Sequence, residues 1–351
     1  MMFEISELTR PIVQAPMGGG PSTPELAVAV SEAGGLGFLA AGYKRAEQVS
    51  LEIEAVRRGT ERHFGVNVFV PSPKPADRAA VSRYMRELAG EAARLGVELG
   101  PARFEDDGWE AKLELVCEER PPLVSFTFGC PSAETVRRLH DAGVSVWVTV
   151  TRVSEAVSAA EVGADALVVQ GTEAGGHRGG FVDDEQAAGI GLLALLSLVR
   201  RSVSIPLIAT GGIADGAAVA AVLCAGAAAA QIGTALMLAP EAGTTPAQRA
   251  LLREAIPTGL TRAFTGRLAR GMVNRFQAEH SAAAPSAYPE IHHVTSPLRA
   301  QARQRGDADG FNLWAGQAHE LARERPAAEI IRTLAADARE TLAATSRRFA
   351  G

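Results

Sequence analysis

One histidine interrupts a glycine-rich turn at the end of an apolar run, in the stretch DALVVQGTEAGGHRGGF from Asp165 to Phe181. Leu167 to Val169 read as a strand interior that Gln170 closes. Gly171, Gly175, Gly176, Gly179 and Gly180 then let a flat ligand approach the main chain where a Cβ would block it. His177 carries the side chain whose ordinary pKa lies nearest neutrality, suited to proton transfer or to hydrogen bonding a bound anion. Taken alone, the stretch reads equally well as a mobile surface loop with an incidental histidine.

Other turns add to it. ATGGIADG, 209–216, places Gly211 and Gly212 before a helix that Asp215 would cap, and QIGTA, 231–235, offers Gly233 and the Thr234 hydroxyl. Backbone amides at such turns cradle a phosphate without a lysine. Gln14, Asn67, Thr127, Thr149 and Gln170 close other apolar runs, and uncharged hydrogen-bonding groups around an apolar floor suit a neutral heterocycle such as a flavin ring. The plainer reading of Asn67 and Gln170 is capping of buried strand ends. These ends are poor in carboxylates, so no metal site is expected.

The elements that must position these groups alternate. Apolar strands at 12–17, 35–42, 64–71, 123–128, 145–150, 166–171, 206–212 and 228–234 are mostly each followed by a helical pattern, including helices at 187–201 and 215–225. Eight such units predict an α/β fold, a (β/α)8 TIM barrel, with a doubly wound open sheet as the rival. Residues 71–122 read as a helical insertion after the third strand, and 258–320 mixes Gly, Arg, Pro and aromatics without clear period. The final segment, 327–349, reads as a packed surface helix. The expected division is a barrel at 1–257 and a helical C-terminal cap region at 258–351. Gly35, Gly37 and Ala40 fit a dinucleotide fingerprint but enter a strand rather than open a helix, which argues against a Rossmann site.

The 351 residues carry a net charge of -5 with no basic cluster, so no nucleic-acid partner is expected, and 47% hydrophobic content supports a large core. Lysine occurs only at 44, 74 and 112, away from strand ends, which argues against Schiff-base chemistry. Cys117, Cys130 and Cys224 form no disulfide or zinc pattern, and no apolar leader or membrane span is evident, so a cytoplasmic protein is expected. Cys130 reads as a small hydrophobe, Arg178 as either a source of positive field or an exposed side chain, and the adjacent His292 and His293 as structural or exposed.

Taken together, QAPM at 14–17, SEAGGLGFLAAGY at 31–43, FGVNVFVP, QGTEAGGHRGGF, ATGGIADG, QIGTA and LWAGQ at 313–317 resemble the nitronate monooxygenase family, formerly called 2-nitropropane dioxygenases. The resemblance runs from about Pro11 to Gln317. It implies FMN held by Asn67, Gln170, Gly175, Gly212 and the run Gln231, Ile232, Gly233 and Thr234, with Met17 near the ring and His177 at the active site. The implied reaction is oxidation of an alkyl nitronate, such as propionate 3-nitronate, by FMN and dioxygen to a carbonyl compound and nitrite. The alternatives are a flavin-dependent enoyl-acyl-carrier-protein reductase using NAD(P)H, which would share the AGGH turn, and a flavin-binding barrel without turnover.

Overall fold

A computed structural model describes residues 3–184 and 189–350. The barrel is laid down as β1 (Ile12–Gln14), α1 (Pro24–Glu32), β2 (Gly37–Ala40), α2 (Ala46–Gly59) and β3 (Phe64–Phe69), followed by the insertion helices α3 (Arg78–Glu87), α4 (Ala89–Leu95) and α5 (Trp109–Glu119). It continues through β4 (Leu123–Thr127), α6 (Ala133–Asp141), β5 (Ser145–Val150), α7 (Val153–Glu161) and β6 (Ala166–Gln170). A two-residue strand, β7 (Gly176–His177), precedes α8 (Leu192–Arg200), β8 (Leu207–Thr210), α9 (Gly216–Cys224) and β9 (Ala229–Ile232). The expected start of the helix before β8, at residue 187, lies outside the described residues.

Eight parallel strands pair in the order β1-β9-β8-β6-β5-β4-β3-β2. The ring closes where Gln14 N–H donates to Leu36 at 2.8 Å and Leu36 N–H to Ile12 at 3.0 Å, just before β2. This is a TIM barrel. Within β5, Val146, Val148 and Val150 join the layer between strands and helices, while Trp147 points into the barrel beside Phe38, with ring centroids 6.1 Å apart. The two-residue period of a strand thus serves two cores at once. Gly37 is glycine for packing, since a Cβ there would lie 2.1 Å from the Ala27 carbonyl oxygen of α1.

After β9 the chain leaves the barrel to form α10 (Pro246–Leu251), β10 (Thr258–Thr261), β11 (Ala269–Met272), α11 (Arg275–His280) and α12 (Glu290–Gln304) before returning as α13 (Ala327–Ala350). β10, β11 and β7 form a small antiparallel sheet, so this region is not helical throughout. α13 packs against α9 and α1, with Ala327, Ile330, Ile331, Leu334, Ala335 and Ala338 in the same core as the barrel helices. It fills the place of the eighth barrel helix, and the cap is inserted between the eighth strand and that helix. The insertion helices build a second core under the cap: Val81, Tyr84, Leu88 and Leu95 pack with Phe264, Phe276, Ile291, Val294 and Leu298.

Candidate active site

The C-terminal ends of the barrel strands, roofed by α12 and the segment around Trp314, enclose a cavity of about 370 Å³. That is within the range of small-molecule sites. Met17, Asn67, Gln170, Gly175, His177, Gly212, Gln231, Gly233 and Thr234 all line it. Ile232 does not: its side chain is in the core between strands and helices, leaving only its main chain to offer. Gln14 is also turned away. Its amide donates to the Phe38 carbonyl at 2.8 Å and to Ser22 Oγ at 3.1 Å, tying β1 to β2.

The glycine loop is anchored, not mobile. β7 pairs with β11, His177 opposite Ala269, and Gln170 pins both sides of the histidine by donating to its carbonyl at 3.1 Å and accepting from Gly179 N–H at 2.8 Å. Arg178 is buried, its guanidinium donating to the Gly171 and Gln170 carbonyls, so it holds the loop from behind rather than facing solvent. The LWAGQ segment joins the loop to the last barrel turn. Gln317 N–H donates to the Glu173 carbonyl at 3.0 Å and Gly316 N–H to Thr234 Oγ1 at 3.0 Å, while a Cβ on Gly175 would lie 2.5 Å from Ala315 main chain.

His177 Nε2 lies 2.8 Å from Thr265 Oγ1, and Nδ1 has no partner among the described residues. Phe128, Tyr288 and Trp314 surround the ring, with centroids 5.6, 6.0 and 5.5 Å away. Burial, reinforced by the charges of Arg267 and Arg299, holds the imidazole pKa down at about 3, so it is neutral at physiological pH.

α12 supplies residues that, His292 apart, composition and motifs did not single out. His292, Ser296, Arg299 and Arg303 recur at helical spacing and line the cavity. His292, expected to be structural or exposed, stacks on Tyr43 at 4.2 Å, and burial lowers its pKa to about 2. His293 points elsewhere, 2.9 Å from Glu105. Arg299 donates to Thr295 Oγ1 at 3.0 Å and to the His292 carbonyl at 2.8 Å, and Arg303 to Asn312 at 2.7 Å. Burial lowers the pKa of Arg299 to about 10, which leaves it cationic. Neither arginine has a carboxylate partner among the described residues, and none of the residues lining the cavity is acidic. Cys130 is a half-buried thiol raised by burial to about 11, consistent with a small hydrophobe.

Two aromatic residues of the wall, Tyr43 and Phe128, have φ of 67° and 78°. Side chains other than glycine rarely adopt that region, at a cost of about 1–3 kcal/mol each, and such strain concentrates at functional sites.

Two buried neutral histidines predict acid sensitivity. Their folded pKa values lie below the ordinary 6.5, so below that pH the unfolded chain binds protons that the fold refuses. Stability then falls with decreasing pH by up to about 1.4 kcal/mol per pH unit for each histidine. Denaturant unfolding at pH 7.5 and 5.0 measures this, and His292→Gln is expected to remove its share of the slope. Equal stability at the two pH values would contradict the burial of both rings as neutral groups.

A family model described as nitronate monooxygenase matches residues 1–337. The chain is 42% identical over 346 residues to a nitronate monooxygenase of Pseudomonas aeruginosa, covering 95% of this chain and 97% of that one. It is 39% identical over 345 residues to one of Paraburkholderia phytofirmans, covering 95% and 94%. Among solved structures, a nitroalkane oxidase from Streptomyces ansochromogenes superposes with a TM-score of 0.95 at 50% identity, over 97% of this chain and 99% of that one. FabK from Thermotoga maritima superposes at 0.77 with 28% identity, over 98% of each chain.

Proposed function

The chain belongs to the nitronate monooxygenase family of oxidoreductases, and from that premise we propose that it oxidises alkyl nitronates, such as propionate 3-nitronate, with FMN and dioxygen to a carbonyl compound and nitrite. The observation that carries this reading is the cavity wall itself: two neutral histidines and two arginines, with no acidic group among the lining residues. Such a wall selects an anion.

The residues present fit FMN. Thr244 Oγ1 is buried at the cavity wall without a hydrogen-bond partner among the described residues, as a hydroxyl kept for a ligand would be. Gly212, Gly233 and Thr234 would hold the phosphate through main-chain N–H groups and the Thr234 hydroxyl. Asn67, Gln170 and Gln231 would hydrogen-bond the polar edge of the ring, with Gly175 and Met17 in contact and Ile232 offering its main chain. Bound FMN supplies the electron acceptor that communicates with dioxygen. In this reading residues 1–257 together with α13 form the cofactor-holding barrel, and the cap is the part of 258–351 that precedes α13.

The remaining work falls to this chain's side chains. A base with a pKa of about 3 is mismatched to removing a carbon-bound proton near neutral pH, since four units of mismatch amount to about 5 kcal/mol. His177 is better suited to a substrate that arrives already ionised. If the Thr265 hydroxyl turns from the Arg267 carbonyl, 3.2 Å away, to Nε2 at 2.8 Å, the tautomer protonated on Nδ1 can donate to a nitronate oxygen. Arg299 and Arg303 attract the anion and would receive a carboxylate carried by it. Arg299→Met is expected to keep bound FMN and raise KM for the nitronate by about 10- to 100-fold, the weight of one charge-assisted hydrogen bond. An unchanged KM would remove Arg299 from the binding site.

The reductase alternative has weaker support, since the relatives at 42% and 50% identity are a nitronate monooxygenase and a nitroalkane oxidase. No helix among the described residues is long and apolar enough to cross a membrane, and we place the protein in the cytoplasm, acting on small molecules. Anaerobic mixing of the yellow protein with propionate 3-nitronate or, separately, NADH tests the proposal. Bleaching of the flavin by the nitronate alone supports it. Bleaching by NADH alone would favour the reductase, bleaching by neither a binding barrel, and failure to take up FMN would overturn the cofactor assignment.

A further inference from the structure

We propose that Asp107 and Lys112, in the segment inserted after β3, are positioning residues: they hold Tyr43 in a left-handed backbone conformation that sets its ring as a wall of the substrate end of the cavity. The proposal rests on reading that cavity as the nitronate site. Tyr43 follows β2 in the sequence AAGY and lines the cavity beside Phe69, with ring centroids 5.4 Å apart, and under His292 at 4.2 Å, the two rings parallel within 2°. Toward the first barrel turn, a Cβ on Gly18, next to Met17, would lie 3.8 Å from the tyrosine ring. The ring therefore spans the gap between the first barrel turn and α12.

Its backbone does not favour this placement. With φ at 67° Tyr43 needs an external hold, and the hold comes from far along the chain: its N–H donates to Asp107 Oδ1 at 3.0 Å. Asp107 Oδ2 accepts from Lys112 Nζ at 2.6 Å. The lysine is 1% exposed, the most deeply buried charged group of the insertion. Asp107 has φ of 58° and precedes Gly108 at the start of α5, so the acceptor is carried by a tight turn rather than a flexible tip. Burial pushes the aspartate pKa up and the lysine pKa down, so each charge is expensive without the other. An ion pair maintained here, with one carboxylate oxygen spent on a single main-chain N–H, is accounted for by the residue it holds.

The acceptor can be separated from the charge. In Asp107→Asn/Lys112→Met the amide oxygen still accepts from Tyr43 N–H and no buried charge is left alone; in Asp107→Ala/Lys112→Met the acceptor is gone. Two readouts are taken on FMN-loaded protein: KM and kcat for propionate 3-nitronate, and the Kd of 3-nitropropionate from the anaerobic flavin absorbance change, which needs no turnover. The alanine variant is expected to raise KM and Kd about tenfold, with kcat within about twofold, and the asparagine variant to stay within about twofold of the parent. Parent-like binding by the alanine variant, or equal impairment of both, overturns the proposal.

Should the alanine variant not fold, the same comparison is made in a Tyr43→Gly background, since glycine takes the left-handed conformation unaided. There, loss of the Asp107 acceptor is expected to weaken binding no further than Tyr43→Gly alone, and an additional loss overturns the proposal. A parent enzyme that neither binds nor oxidises the nitronate would instead sink the functional reading, an outcome distinct from each of these.

Discussion

His177→Asn is expected to give a protein that is still yellow but whose kcat/KM toward an alkyl nitronate is reduced by about 10- to 100-fold, the cost of one hydrogen bond to an anion in a buried site. Flavin retention follows because the contacts that shape the loop are made by the His177 main chain and by Gln170, not by the imidazole. The same variant discriminates between two roles. Were the imidazole the base that deprotonates a neutral nitroalkane, turnover of that substrate would fall by about 10²–10⁴ while the preformed nitronate was affected far less. The depressed pKa of the ring favours the hydrogen-bonding role, with the loss concentrated on the nitronate. Parallel assays of a nitroalkane and its nitronate decide, and full turnover of both with FMN bound would remove His177 from the mechanism altogether.

A chain ending at Pro326 is expected not to fold. It lacks α13, whose Ile330, Ile331 and Leu334 are 7%, 0% and 6% exposed against the barrel helices. Burial of three such side chains contributes about 5–9 kcal/mol, against a total stability of about 5–15 kcal/mol for a native protein. The deletion also uncovers the faces of α1 and α9 that flank the seam between the first and last strands. Ile331→Ala, by contrast, is expected to cost about 2–5 kcal/mol and leave the fold intact. Soluble yield, circular dichroism and thermal midpoint distinguish the two. A truncated chain that melts with the parent and keeps its flavin would show that the barrel is complete without its last helix.

Much of the frame could be read because buried parallel strands are continuous apolar runs and their turns carry glycine: all eight barrel strands occur where that pattern placed them, and Asp215 caps α9 through Ala218 N–H as expected. The place of α13 was hidden, since its apolar period says that a face is covered but not by what. The strands β10 and β11, with sequences TGLT and ARGM, lack the alternation that marks a half-buried strand.

The site was half legible. The glycine turns and strand-end amides announced themselves by residue type, and eight of the nine candidates beyond Ile232 would have been placed around His177 by the barrel topology alone. The α12 face was missed because a helix with polar residues on one side is ordinarily solvent-facing, and here His292, Ser296, Arg299 and Arg303 face an internal cavity. His292 and His293, read as structural or exposed, diverge; their rings stand at 87°. Belonging to a helix rather than an extended segment is what sends one of them into the cavity. Tyr43 gave no signal, because its conformation is imposed by Asp107, 64 positions away.

The position of α13 also bears on the order of events during synthesis. The eighth strand ends at Ile232 and the helix that covers its seam begins at Ala327, so the ribosome makes the whole cap in between. At about 5–20 residues per second those roughly 95 positions take about 5–20 s, during which the nascent barrel has all its strands but an uncovered flank. For that interval the apolar faces of α1 and α9 are open to other nascent chains and to chaperones. The making of α13, rather than the appearance of the binding residues, closes that interval.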